Sequence, residues 1–191
     1  MHARENKTVW CTYTFVSVGM LAAVQIILSR FLAIQVGGFG RIALSPVATI
    51  VSGLWLGPVA GGLTGLIADL IGCLIQGYAV NPLITLAAMM WGILPGLLCP
   101  PPERKKSMKI LTLVLAVVLT AAVSSLGLTT AGLVLIGGYN FYSIIITRLT
   151  QYAVTVPLYC LLVNLLYFSP VTAMVRTALN TRVGRRSIQK Q

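Results

Sequence analysis

Four ionisable side chains stand inside or beside the long apolar runs of this 191-residue chain, and together they suit one kind of chemistry. Arg30 lies in Ser29-Arg30-Phe31-Leu32, Arg41 closes Gly38-Phe39-Gly40-Arg41, Arg148 sits in Thr147-Arg148-Leu149, and Asp69 in Ala68-Asp69-Leu70. Charges at membrane depth are expensive and mark functional sites. A guanidinium fork matches a carboxylate in bidentate fashion, the more strongly where water is thin. Three arginines gathered on one side of a bundle therefore form a receptor for an anion. Asp69 has no basic residue one helical turn away, and a buried carboxylate without a partner is costly. Its partner is either Arg30 or Arg41, reached by a tertiary contact, or the adjacent N–H donors of a heterocycle, which a carboxylate can accept as a pair. Phe39 beside Arg41, and Tyr139 or Phe141 before the last helix, offer stacking faces for a flat ring. The plain alternatives are that each arginine anchors a helix end at the headgroups and that the aromatics belong to an interface belt.

These residues must be positioned by a membrane fold. The chain is 57% hydrophobic and 9% charged, with a mean hydropathy of +0.91, whereas soluble domains carry roughly 25% charged residues. The net charge of +11 does not point to nucleic acid, because the basic residues fall at the ends and in one loop, with no basic stripe interleaved with aromatics. Cys11, Cys73, Cys99 and Cys160 stand singly without CxxC spacing, and the one histidine is His2. No metal, disulfide or nucleophile constellation can be assembled, and no cofactor is expected. Asp69 is the one carboxylate within an apolar run, which leaves no acid/base pair for an enzyme. No GxxxxGK[ST] loop is present to hold a nucleotide.

A spanning helix takes about 20 apolar residues, and the chain divides into six such segments near 9–34, 42–56, 59–76, 82–99, 109–135 and 141–168. The fold class expected is all-α, a six-helix transmembrane bundle forming one domain over 1–168, followed by a basic tail over 169–191. The run from Val9 to Ile34 is too long for a signal peptide and counts as the first span. Pro58 and Pro82 open the third and fourth segments, and Pro100-Pro101-Pro102 ends the fourth. Basic clusters at Arg4 and Lys7, at Arg104 to Lys109, and from Arg176 to Lys190 are separated by four and then two spans. That parity puts all three clusters, and both termini, in the cytoplasm. Arg30, Arg41 and Arg148 break the pattern and lie toward the outer face. Gly57, Gly61, Gly62 and Gly65 give the third helix a small-residue face for internal packing, while Gly19 and Ala23 give the first helix a face for packing or for docking a partner. The tail mixes cations with Val171, Met174, Val175 and Leu179 and is drawn to membrane lipid of the inner leaflet.

At these residues the chain resembles the substrate-binding S components of energy-coupling factor (ECF) vitamin transporters, of the folate type. The resemblance rests on Leu28-Ser29-Arg30-Phe31-Leu32, Gly38-Phe39-Gly40-Arg41 leading to Ile42-Ala43-Leu44, Gly57-Pro58 with Gly61-Gly62, and Ala68-Asp69-Leu70-Ile71-Gly72. Thr147-Arg148-Leu149 with Val156-Pro157-Leu158-Tyr159 extends it to the sixth helix. It implies a six-helix subunit of a bacterial cell membrane that binds folate or a reduced folate at its outer face. It also implies a transmembrane coupling subunit and two ATPase subunits as partners, with Gly19 and Ala23 on the docking face. Two stretches differ from the family pattern: only Ala33 to Gly38 separates the Arg-Phe-Leu run from the Phe-Gly turn, and Asn81-Pro82 stands where Phe-Pro-Gly is common. Riboflavin, thiamine or another vitamin is therefore the alternative cargo. A structural membrane subunit without a ligand is the alternative of a different class.

Overall fold

The computed structural model describes residues 12–31, 34–36, 40–77, 79–101, 103, 105–175 and 177. Among them a helix, α1 (Thr12–Phe31), leads into a two-stranded antiparallel ribbon, β1 (Ile34–Val36) and β2 (Gly40–Ile42), paired Ile34 to Ile42 and Val36 to Gly40. Then come α2 (Ser45–Leu56), α3 (Pro58–Gln76), α4 (Pro82–Leu97) and α5 (Lys106–Ala121). A π-helical stretch, Ala122–Thr129, runs from α5 into α6 (Thr130–Leu135), and α7 (Phe141–Phe168) follows. With α5 to α6 counted as one rod, the described residues form six helical rods and a short helical segment over 170–175, and the helical class read from the sequence is the one observed. The ribbon was not foreseen, and it takes Ile42 from the segment expected at 42–56.

Four of the six rods are long and apolar enough to cross a bilayer. The others are short: the 12 residues of α2 reach about 18 Å, against roughly 30 Å of hydrocarbon. Proline opens α3 and α4 as expected and stands in the first turn of α2, where its missing N–H is no loss. Between α2 and α3 the chain reverses on Gly57 alone, whose φ of 97° is open to glycine and strained for other residues. Pro95 and Pro157 stand inside α4 and α7.

Packing is tightest where side chains are smallest. A Cβ built on Gly53 would lie 2.1 Å from the Gly92 carbonyl oxygen, and one on Gly65 2.1 Å from that of Ala88. Backbone therefore meets backbone across α2, α3 and α4, the close approach that small residues permit in membranes. The third helix's glycines thus serve internal packing, as their spacing predicted. Val47, Ile50, Val51 and Leu54 of α2 join Leu113 and Val117 of α5 and Tyr159, Val163 and Tyr167 of α7 in the main core. Trp55 and Trp91 pack against it. Large apolar side chains such as Phe15, Met20, Leu74, Leu115 and Leu165 face outward, the lipid-facing surface of a bundle rather than the surface of a soluble domain.

Several buried hydroxyls are bonded within the bundle, while the buried Ser124 Oγ has no partner among the described residues. Thr64 donates to the Ala60 carbonyl at 2.9 Å and lies 2.7 Å from Ser52 Oγ. Thr49 donates to Gln25, tying α2 to α1. Where the π stretch meets α6, Thr129 and Thr130 reach back to the Ser124 and Ser125 carbonyls at 2.7 and 3.2 Å. With no bulk water in the hydrocarbon to serve as partner, such bonds are the ones available to these groups.

Candidate functional site

Successive rods run in opposite directions, so one end of the bundle gathers the end of α1, the ribbon, the α3–α4 connection and the turn between α6 and α7. Among the described residues, the backbones of Arg30 and Arg41, together with Asp69, Arg148 and Tyr139, fall toward that end. Arg30 is the penultimate residue of α1 and Arg41 lies in β2. The side chains of Arg30 and Arg41, and the whole of Phe39, lie outside the described residues. The ribbon itself is well placed, since β2 packs against α7, the helix that carries Arg148. Tyr159 of α7 donates from its hydroxyl to the Ala43 carbonyl at 2.6 Å, fixing the chain just after β2. Trp91 of α4 supports that tyrosine edge-on, with ring centroids 5.6 Å apart.

Arg148 is half-buried two turns into α7, and its Nη1 donates to Gln151 Oε1 at 3.3 Å. One edge of the guanidinium is thereby oriented by a neutral neighbour. Asp69 is half-buried in α3, and Thr85 Oγ1 of α4 donates to its Oδ2 at 2.7 Å. Among the described residues this hydroxyl is the side chain that holds Asp69, and no ion pair there joins Asp69 to Arg148. The arginine partners expected for it, Arg30 or Arg41, have side chains outside the described residues, and the partner seen is a threonine on the neighbouring helix. Physically, a short hydrogen bond to a carboxylate is charge-assisted and needs no second buried ion.

Thr85 belongs to a chain of polar contacts across three helices. Its Oγ1 also lies 3.2 Å from the Asn81 carbonyl. Asn81 caps α4 by accepting from Leu83 N at 3.1 Å, and its Nδ2 donates to the Gly132 carbonyl of α6 at 2.9 Å. Gly132 has the small profile this needs, because a Cβ there would come within 3.2 Å of Asn81 Oδ1. Neither Thr85 nor Gln151 was singled out from the sequence. A signal existed for the first: Thr85 is the one hydroxyl in the apolar run from Pro82 to Leu98.

Tyr139 is 44% exposed in the turn after α6. Its backbone N–H bonds the Leu133 carbonyl at 3.3 Å, and the left-handed Gly138 before it (φ 68°) sets the direction. Phe141 and Tyr142 are exposed beside it and make an edge-to-face pair at 5.9 Å. Away from this end, Gly19 and Ala23 lie on the outward face of α1, and a Cβ added at Gly19 would meet nothing within 4 Å. That face is open, in contrast to the closed glycine faces of α2, α3 and α4.

The arrangement has the parts of a small-molecule receptor: cations and one carboxylate at a single end of the bundle, aromatic rings beside them, and positions set by neighbouring helices. Residues 14–178 match a family model described as "ECF transporter, substrate-specific component". A folate transporter, FolT, of Clostridium novyi (strain NT) is 27% identical over 151 residues, which cover 76% of this chain and 83% of that protein. Among solved structures, one titled "Crystal structure of FolT bound with folic acid" superposes with a TM-score of 0.70 at 24% identity, over 82% of this chain and 93% of the other. Another, titled "Structure and mechanism of the S component of a bacterial ECF transporter", gives 0.60 at 20% identity, over 81% and 93%. At those identities the two structures establish the fold.

Proposed function

The chain belongs to the ECF transporter substrate-specific components, and from that footing we propose that its cargo is folate or a reduced folate. It is a multi-pass membrane subunit of a transporter and not an enzyme. The observation that carries the folate reading is the match to a protein named as a folate transporter across three quarters of the chain. Residue chemistry supports it. Folate ends in a glutamate, whose carboxylates suit the forks of Arg30, Arg41 and Arg148. Its pterin presents neighbouring N–H donors to Asp69 and a flat face to Phe39 and Tyr139. The aromatic and cationic end faces outward, with both termini in the cytoplasm, because the basic clusters then obey the positive-inside rule.

Energy comes from partners: a transmembrane coupling subunit, docked on the Gly19 and Ala23 face of α1, and two ATPases. A titration tests the cargo. The detergent-solubilised subunit is titrated with folate while its intrinsic tryptophan fluorescence is followed, Trp91 standing against the Tyr159 that pins the ribbon end. Saturable binding of folate, with none of riboflavin or thiamine, is the expected result. Well-folded protein that ignores folate and binds a control replaces the cargo while leaving the family in place.

Thr85→Val should separate the two ends of the ligand. Losing a hydrogen bond to a charged group typically costs about 1.5–3 kcal/mol, so folate affinity is expected to fall about tenfold or more. A ligand lacking the pterin, p-aminobenzoylglutamate, should bind the variant and the parent alike, and Thr85→Ser should recover most of the loss. Equal weakening of both ligands would remove Asp69 from the pterin end.

A further inference from the structure

Arg148 stands about 10 Å along α7 from its start at Phe141, on the side of the helix that turns into the bundle. One turn before it Ile144 is buried at 1% exposure, and one turn after it Tyr152 is half-buried, its hydroxyl donating to the Val118 carbonyl of α5 at 3.1 Å. The outward side of α7 at this level is formed by Ile146 and Leu149, which are 67% and 60% exposed. A cation drawn inward at such a depth ordinarily pairs with a carboxylate. The chain has three acidic side chains, Glu5, Asp69 and Glu103. Asp69 is held by Thr85, and Glu103, between α4 and α5, lies at the opposite end of the bundle, while Glu5 lies outside the described residues. What Arg148 meets on its own helix is Gln151, whose Oε1 accepts from Nη1 at 3.3 Å. That bond engages one of the five N–H donors of the guanidinium and brings no negative charge.

We propose that Gln151 is a positioning residue that keeps the ligand site cationic: its side-chain carbonyl turns the Arg148 fork without neutralising it, so that the guanidinium charge is met by a carboxylate of the cargo. This role rests on the reading, given above, of Arg148 as a cation of the ligand site. The two residues are three apart on one helix, the spacing at which side chains meet. A glutamate at 151 would have the same shape and would hold Arg148 more strongly, yet an incoming carboxylate would then face a closed ion pair of no net charge. Neutrality at this position, rather than shape, therefore selects the class of cargo. A carboxylate-bearing vitamin is drawn in, a neutral one gains nothing from the charge, and a cationic one is repelled.

Gln151→Glu in the full chain separates positioning from a merely structural part, because an ion pair in place of a neutral bond should leave the melting temperature unchanged or raise it. Folate affinity, followed by tryptophan fluorescence in detergent, is nevertheless expected to fall about tenfold or more. The affinity for p-aminobenzoylglutamate, which carries the anionic end alone, should fall in step, unlike in Thr85→Val. Gln151→Leu, which leaves Arg148 cationic but undirected, should lose about threefold to tenfold. Labelling of Arg148 by phenylglyoxal, read by mass spectrometry, needs no cargo. It should be about threefold or more slower in Gln151→Glu than in the parent, because a neighbouring carboxylate holds the guanidinium in its protonated, unreactive form. Parent-like folate affinity in well-folded Gln151→Glu overturns the proposal, as does a loss that p-aminobenzoylglutamate does not share or that comes with a lowered melting temperature. Equal labelling of Arg148 in the two proteins also overturns it, whatever the cargo. If the parent ignores folate while its Arg148 labels faster than the variant's, the role of Gln151 stands and the folate reading falls.

Discussion

Arg30→Ala is expected to weaken folate binding by about a hundredfold or more, because truncating one partner of a desolvated, hydrogen-bonded charge pair typically costs 2–5 kcal/mol. Arg30 sits at the last turn of α1, at the end of the bundle where the ribbon and the α6–α7 turn also lie. Arg30→Lys should be intermediate, since an ammonium keeps the charge but not the planar fork. The measurement is the tryptophan-fluorescence titration, with thermal melts to show that the fold survives. A headgroup anchor would behave differently: binding would persist while the melting temperature fell. Unchanged affinity in well-folded Arg30→Ala would therefore leave Arg148 and Arg41 as the candidate cations and return Arg30 to the role of an anchor.

The second large effect falls on the fold itself. Gly92→Val should abolish recovery of monodisperse protein, because a Cβ at Gly92 would stand 2.2 Å from the backbone of Gly61, and backbone cannot rotate aside. Overpacking a well-filled core typically costs about 1–3 kcal/mol and occasionally more, and here α3 and α4 would have to part. Gly53 and Gly65 should behave alike, each with a carbonyl oxygen 2.1 Å from the added atom. Gly19→Leu is the contrasting case. It faces open space, so the variant should fold, melt and bind folate as the parent does, and lose only co-purification with the coupling subunit. Yield and elution profile on size exclusion check the first set, and pull-down with the coupling subunit checks the last. If Gly19→Leu assembled normally, the docking face would lie elsewhere on the subunit.

These two glycine classes show where sequence reasoning reaches and where it stops. Helical spacing marked Gly61, Gly62 and Gly65 as a packing face, and it marked Gly19 with Ala23 in the same way. Spacing cannot tell a closed face from an open one, which depends on the helix that arrives from elsewhere in the chain. The prolines were legible because their constraint is local: Pro58 and Pro82 open helices wherever those helices go. Asp69 was legible as a group in need of a partner, but the Thr85 hydroxyl that bonds it was not. Thr85 reaches it through the pairing of α3 with α4, and a threonine in an apolar helix is more often bonded to its own backbone, as Thr64 and Thr120 are here. The short antiparallel ribbon was missed because Ile34-Gln35-Val36 and Gly40-Arg41-Ile42 are three residues each, too brief for alternation to register. The π stretch has no periodicity of its own within the long run that contains it.

The brevity of α2 bears on how the protein is made. An apolar helix of 12 residues falls well short of the roughly 20 that let a segment partition into a bilayer by itself. From Val47 to Leu56 only Trp55 escapes full burial, so its natural environment is other protein and not lipid. With Gly57 as the whole of the turn, α2 is yoked to α3, which is long enough to insert. During synthesis the two must enter the membrane as a single hairpin, with α2 waiting for α4, α5 and α7 to enclose it. A nascent chain halted before α4 emerges would hold α2 in the membrane beside α1 and α3 but without α4, α5 and α7 to enclose it, and at that stage quality-control proteases would find it vulnerable.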